Sequence, residues 1–268
     1  MRGEASGPAI ELQKLSMQFG TQAQNALSVL DGITFSLVPG EFVSIVGPSG
    51  CGKTTILNLL AGLLHHEGGG SLRILGEKPK VGHREVAYML ARDCLLPWRT
   101  TLGNAAYGME IRGTPRTARE KRAMDFLGRV GLRDFAAAYP SALSQGMRQR
   151  CALARTFALD SQVLLMDEPF GALDAQTKLQ LEDVLMELWS ANERTVLFVT
   201  HDLAEAVALS DRVIVMSARP GRIVADVPID LGRPRSVRAL QKDAQFHNYY
   251  AELWALLEQG MGGPAHAQ

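Results

Sequence analysis

The sequence predicts an α/β protein with a largely parallel central sheet, an N-terminal antiparallel β region and an inserted α-helical subdomain. Three observations point there. A compact apolar run, Phe42 to Val46, leads directly into a glycine-rich loop and then into helical periodicity. Strand-like runs alternate with helical segments in the second half of the chain, the pattern of parallel strands joined by crossover helices. Between these parts, the stretch from about Asp93 to Asp160 has helical periodicity and few β-branched runs.

In chain order, Ile10 to Phe19 and Val29 to Val38 are β-rich, and Pro39-Gly40 is a turn before the buried strand Phe42 to Val46. From Thr54 the apolar positions Ile56, Leu59, Leu60, Leu63 and Leu64 form one helical stripe, which is expected to run until His65 and the Gly68-Gly69-Gly70 turn. Leu72 to Leu75 and Val86 to Leu90 look like strands. Strand character returns at Val163 to Met166, Val196 to Thr200 and Val213 to Met216, with an amphipathic helix around Gln176 to Ser190. Beyond Pro220-Gly221 a short hairpin and a final helix, Asn248 to Glu258, precede a Gly, Ala and Gln tail that is expected to be disordered. The pattern gives one domain over residues 1–268. Its α/β core comes from 1–91 and 161–268 and its helical subdomain from 92–160, with no room expected for an extra regulatory domain and no internal repeat.

At 268 residues and 46% hydrophobic content the chain can bury a substantial core. Lys plus Arg and Asp plus Glu both total 28, so no broad basic field suggests nucleic acid as a partner. Cys51, Cys94 and Cys151 are widely separated and in no metal or redox spacing, which fits buried or neutral thiols in a reducing compartment. No apolar run reaches the roughly 18 to 20 residues of a membrane span, and MRGEASGPAI lacks the apolar core of a signal peptide. The expectation is a soluble chain that is not exported.

Gly47-Pro48-Ser49-Gly50-Cys51-Gly52-Lys53-Thr54 matches GxxxxGK[ST] between a strand and a helix, the context that phosphate binding requires. Glycines let backbone N–H groups converge on phosphate oxygens, and the helix start adds its positive dipole end. Lys53 is placed to reach the β and γ phosphates, the Thr54 hydroxyl to ligate Mg²⁺, and Thr55 to add a phosphate contact. Val163-Leu164-Leu165-Met166-Asp167-Glu168 is an apolar strand ending in two carboxylates. Asp167 would hold Mg²⁺ through water and Glu168 would polarise or position the attacking water. Together these runs describe a phosphate-loop NTPase core.

Leu143-Ser144-Gln145-Gly146-Met147-Arg148-Gln149-Arg150 resembles the ABC signature LSGGQ with its basic helix, and separates the chain from other phosphate-loop proteins. Gly171-Ala172-Leu173-Asp174 resembles the D-loop, His201 the switch histidine and Phe19 the adenine-stacking aromatic of ABC ATPases. An aromatic in a strand also fits a core position, and both readings of Phe19 stand. Asp202-Leu203-Ala204-Glu205 has capping-box spacing, so a helix is expected to begin just after His201 and fix it at the sheet edge. The resemblance implies ATP and Mg²⁺, and a head-to-tail dimer of this chain or of two ABC subunits. Each ATP would be held by Lys53 and Thr54 of one chain and by Ser144 and Gly146 of the other.

Two departures qualify the match. In the signature, Gln145 and Met147 replace a glycine and a glutamine. Counting back from Leu95-Leu96-Pro97-Trp98-Arg99, Ala91 stands where the family carries a glutamine, and alanine can neither ligate Mg²⁺ nor hydrogen-bond water. Arg92, Asp93 or a water could take that place, or hydrolysis and coupling could be weaker. Leu95 to Arg99, the Ser217-Ala218-Arg219-Pro220-Gly221-Arg222 hairpin and Arg233-Pro234-Arg235-Ser236 resemble the nitrate, sulfonate and taurine importer branch. That likeness implies a peripheral subunit on the cytoplasmic face of the inner membrane, a separate integral membrane permease docking beside Ala91 to Arg99, and an extracytoplasmic solute-binding protein. Leu95, Leu96 and Trp98 fit such a docking surface, and equally fit packing within the helical subdomain. The competing functional reading is an ATP-binding gating or regulatory subunit with weak hydrolysis. A soluble ABC protein acting on DNA or ribosomes, and a small-molecule kinase, fit less well: the first lacks its coiled coil, second cassette or basic face, and the second leaves Leu143 to Arg150 unexplained.

Overall fold

The computed structural model describes residues 7–20, 27–66, 68–171, 173–191 and 194–262. Of the tail expected to be disordered after Glu258, residues 263–268 lie outside them, whereas Gln259 and Gly260 belong to the last helix. In chain order the elements begin β1 (Ile10–Phe19), β2 (Leu27–Leu37), β3 (Phe42–Val46), α1 (Lys53–Leu60), β4 (Ser71–Ile74) and β5 (Val86–Met89). Next come α2 (Thr101–Ile111), α3 (Arg116–Arg129), α4 (Gln145–Ala158), β6 (Val163–Asp167), α5 (Ala175–Ser190) and β7 (Thr195–Val199). The chain closes with α6 (Leu203–Leu209), β8 (Arg212–Met216), β9 (Ile223–Pro228), α7 (Val237–Leu240) and α8 (Ala244–Gly260). The chain divides into two compact units, residues 1–83 with 194–268, and residues 84–193.

In the first unit β1 is the middle strand of an antiparallel sheet, with Ile10 opposite Leu37 of β2 on one side and Ile74 of β4 on the other. Its inward positions shift from Ile10 and Leu12 to Leu15 and Met17. The shift falls at a register irregularity where Lys14 adopts φ 50° and its N–H reaches Thr34 Oγ1 at 2.8 Å. The extra residue lets one apolar face continue past the bulge. In the same unit β3 runs parallel between β7 and β8, and β9 adds antiparallel to β8. All five residues of β3 are buried, as for a strand covered on both faces. Each large apolar side chain there contributes roughly 1.5–3 kcal/mol of burial.

The helix after the phosphate loop is shorter than the apolar stripe predicts: α1 stops at Leu60, not near His65. Gly62 ends it in a left-handed conformation, φ 72°, and a Cβ there would lie 2.5 Å from the Lys80 carbonyl carbon. Leu63 and Leu64 then turn their N–H groups to Asn58 O. A tertiary backbone contact, not loss of periodicity, closes this helix. The final helix is longer than expected, because Asp243 caps α8 by accepting from Gln245 and Phe246 N–H.

In the second unit β5 and β6 pair in parallel, Val86 opposite Val163 through Met89 opposite Met166. Helices α2, α3 and α4 pack on one another, and α4 also contacts α5. Buried Asn104 on α2 donates to Leu96, Arg99 and Thr100 carbonyls and accepts from Leu96 N–H at 2.7 Å. That saturates the amide and fixes the preceding Leu95 to Arg99 segment. The cysteines form no disulfide; Cys51 and Cys151 are buried and Cys94 is exposed. Burial raises both buried thiols, Cys151 to about 12, so they stay neutral.

Candidate functional site

The phosphate loop is built from backbone. Strand β3 ends at Val46, the loop takes residues 47–52, and Gly52 is the N-cap of α1 at φ 106° with no side-chain cap. A Cβ on Gly52 would lie 2.5 Å from Leu30 Cδ2, and one on Gly47 would meet Met216 O and Cys51 Sγ at 3.0 Å. The positive φ and close contact demand glycine at 52, while a side chain at 47 would be tight against its neighbours. Helix α1 makes an early i→i−4 bond from Ile56 N–H to Gly52 O, and the groups before it are the donors that a helix start presents to an anion. Cys51 N–H closes a turn onto Pro48 O at 3.3 Å. Lys53 is buried, its Nζ donating to Gly47 O at 2.7 Å and Pro48 O at 3.1 Å, so the ammonium rests inside the loop. Ser49, Gly50 and Thr54 are exposed, with Pro48 and Thr55 half-buried. A concave run of N–H donors around one cation fits a polyphosphate.

Also in the first unit, His201 is exposed just beyond β7, and α6 begins two residues later. Asp202 caps α6, accepting from Ala204 and Glu205 N–H at 2.8 and 3.3 Å. The capping box expected from the sequence closes through a third residue: Thr200 Oγ1 accepts from Asp202 N–H and donates to the buried Glu205 carboxylate. This fixes the backbone on both sides of His201. Phe19, at the end of β1, is 39% exposed, which removes it from the core and leaves a ring available for stacking.

In the second unit Asp167 ends β6 and is buried, while Glu168 follows half-buried at φ 43°. A left-handed glutamate is uncommon and concentrates at functional turns. Tyr88 on β5 is held as the neutral phenol, its pKa raised by burial and then by the Asp167 charge. Ser144 caps α4, its hydroxyl accepting from Met147 N–H at 3.3 Å, and is exposed with Gly146 half-buried in the first turn. Asp174 caps α5 through Thr177 N–H at 3.0 Å, and the Thr177 N–H and hydroxyl hold its carboxyl below the usual range. Ala172 lies outside the described residues. Each unit thus assembles its own set: Phe19, residues 47–55 and His201 in one, and Ser144, Gly146, Asp167, Glu168 and Asp174 in the other.

A protein family described as ABC transporter matches residues 30–171, from β2 through the acidic turn after β6. The chain belongs to the ABC transporter family. The taurine import ATP-binding protein TauB of Chromobacterium violaceum is 40% identical over 242 residues, covering 89% of this chain and 91% of that one. The aliphatic sulfonates import ATP-binding protein SsuB 1 of Mesorhizobium japonicum is 45% identical over 207 residues, 77% of this chain and 76% of that one. Among solved structures, a dimeric post-hydrolysis state of an ATP-binding cassette bound to ADP and Pi superposes with a TM-score of 0.72 at 27% identity. It covers 83% of this chain and 100% of that chain. The protein is an ABC ATPase, with the α/β fold expected from its sequence. No helix of the described residues is long and apolar enough to cross a membrane.

Within this ABC chain the structure adds contacts that the motifs do not announce. Buried Gln149, one turn into the signature helix α4, donates to Pro169 O and so ties that helix to the Asp167-Glu168 turn. A Cβ on Gly146 would lie 2.8 Å from Thr177 Cγ2, so this glycine also admits the first turn of α5. A polar residue on the inner face of a basic helix was the available signal for Gln149; no local signal marks the Gly146 packing. At Ala91 a cavity of about 460 Å³ opens, lined by Ala91, Arg92, Asp93, Cys94, Gln145, Arg148 and Gln149. Asp93 is not poised to replace the missing glutamine, because it accepts from Arg148 Nε at 3.2 Å and Leu95 N–H at 3.1 Å. Arg155 holds the Asp93 and Cys94 carbonyls from below.

Proposed function

We propose that this ABC ATPase powers import of a small solute of the nitrate, sulfonate or taurine type, or one related to these, through a separate membrane permease. The observation that carries the reading is the similarity, over more than three quarters of each chain, to ATP-binding proteins named for taurine and aliphatic sulfonate import. Trp98, 71% exposed beside the Asn104-fixed segment, supports a docking surface there for the permease. Residues 92–160 act as the helical subdomain, on a core from 1–91 and 161–268. The subunit works as a dimer on the cytoplasmic face of the membrane, with a solute-binding protein on the far side.

In this reading Lys53 leaves its resting carbonyls to meet the β and γ phosphates, and the N–H groups of residues 47–55 wrap them. Phe19 stacks on adenine. The Thr54 hydroxyl and Asp167 carboxylate are hard oxygen donors that fit Mg²⁺, which on binding neutralises phosphate charge. Glu168 orients water for attack, and His201 steadies the γ-phosphate end. Ser144 and Gly146 serve the nucleotide of the partner protomer, with Asp174 at the contact between protomers. The test is to isolate the subunit from membranes with its partners and screen solutes for stimulated ATP turnover. Co-purification of a permease and stimulation by a sulfonate support the reading; a subunit recovered with no permease defeats it.

A second reading is favoured by the cavity at Ala91 and by the commitment of Asp93 to Arg148. A subunit without the glutamine's amide binds ATP and dimerises but turns over slowly, so that gating is its main output. Turnover by the assembled complex separates the two.

A further inference from the structure

The hairpin Ser217 to Arg222, between β8 and β9, presses on the phosphate loop from outside, and one of its side chains reaches the loop. Arg219 Nε donates to Gly50 O at 3.2 Å. Its Nη2 would lie 2.8 Å from a Cβ on Gly50, so the guanidinium occupies the space that a side chain at 50 would take. The peptide joining Gly50 to Cys51 is therefore held at both ends: its carbonyl by Arg219, and its N–H by Pro48 O at 3.3 Å. The hairpin is rigid enough to hold it. Gly221 N–H donates to Val29 O at 2.8 Å, and Asp31 N–H returns to Gly221 O at 3.0 Å. Ser217 Oγ accepts Arg222 N–H at 3.0 Å, and Arg222 pairs with Asp31 at 2.6 Å. A Cβ on Gly221 would lie 2.1 Å from Cys51 O, so the two backbones meet directly. Ala218 N–H donates to Gly260 O at 2.9 Å, which braces the hairpin on its far side with the end of α8.

We infer that Arg219 is a positioning residue for nucleotide binding, fixing the Gly50–Cys51 peptide so that the phosphate loop is ordered before ATP arrives. Ordering a loop in advance removes its entropic cost from the binding step. The cation also polarises that peptide beside the place where phosphate charge collects. The effect belongs to ground-state binding, so it falls on affinity and KM, not on the chemical step. The inference rests on the ATPase reading of residues 47–55 and is independent of the permease and the solute.

The test uses the full chain, with ADP titrated calorimetrically and ATP turnover followed against ATP concentration. Arg219→Gln is expected to raise the Kd for ADP and the KM for ATP about fivefold while kcat stays within about twofold. Arg219→Lys keeps a cationic donor and is expected to bind ADP within about twofold of the native chain. A merely structural role lowers kcat or melting temperature and leaves the KM of the folded fraction unchanged. An unchanged Kd in Arg219→Gln, a loss confined to kcat, or a lysine variant no better than glutamine overturns the inference. Failure of the transport reading would appear instead as a complex whose turnover no solute stimulates.

Discussion

The two helix starts proposed to meet phosphate, one in each unit, are made by opposite means. Helix α1 opens on Gly52 with no side chain at its cap, so its donors are backbone groups whose placement depends on glycine geometry. Helix α4 opens on Ser144, whose hydroxyl already caps Met147 N–H, so its start is finished by a side chain and stable by itself. The first arrangement presents backbone donors and depends on glycine at position 52. The second is a helix end closed by its own side-chain cap, whose proposed contact to phosphate comes from one hydroxyl and the turn after it. The contrast sets a helix start built from backbone against one finished by a side chain, and the departures read in the sequence at Gln145, Met147 and Ala91 all concern side chains.

Substitutions sharpen that contrast in descending order of effect. Lys53→Ala removes the cation in the α1 cradle, and turnover should fall about 10²- to 10³-fold with ADP affinity falling too. Unchanged ADP binding by titration would break the assignment of the loop. Gly52→Ala imposes φ 106° on an L-residue and drives a methyl towards Leu30. A destabilisation of about 3 kcal/mol, read by denaturant unfolding, is expected. Ser144→Ala should cost only about 1 kcal/mol of stability from the lost cap. It should leave ADP binding by the isolated chain unchanged and reduce turnover about tenfold, since the proposed dimer gives Ser144 the phosphate of the partner protomer. Loss of ADP affinity in that variant would place Ser144 in the wrong protomer. The smallest effect is at Ala91→Gln, where restoring an amide should raise turnover about two- to fivefold if the gap limits hydrolysis.

The same contrast explains what was legible in the sequence. Glycine spacing encodes backbone conformation directly, so Gly47 to Thr54 was readable, as was the mostly apolar, wholly buried β3 that delivers it. The cap at Asp202 was readable because a cap is a local hydrogen bond, and the structure forms it. Ser144 and Asp174 also cap their helices, a role not expected of them from the sequence. The end of α1 was not, because the stripe continues through Leu63 and Leu64 while Gly62 answers to a distant segment at Lys80. The link from Gln149 to Pro169 and the clamp of Arg219 on Gly50 join residues far apart in the chain. Gln149 shows in the sequence only as a polar residue on the inner face of its helix, with no sign of its partner, and the Arg219 clamp leaves no periodic or compositional trace. The hairpin around Arg219 stood out only as a likeness, and its physical task became visible once Gly221 was found against Cys51.

The central claim is that the cradle of α1, the carboxylate Glu168 and His201 suffice for hydrolysis without a glutamine at position 91. Its direct test is ATP turnover by the partner-bound complex, measured beside the same complex carrying Glu168→Gln. The account predicts native turnover above the variant by about 10² or more, as removal of a general base does. Native turnover no greater than that of Glu168→Gln would contradict it and leave a subunit that binds ATP only to gate.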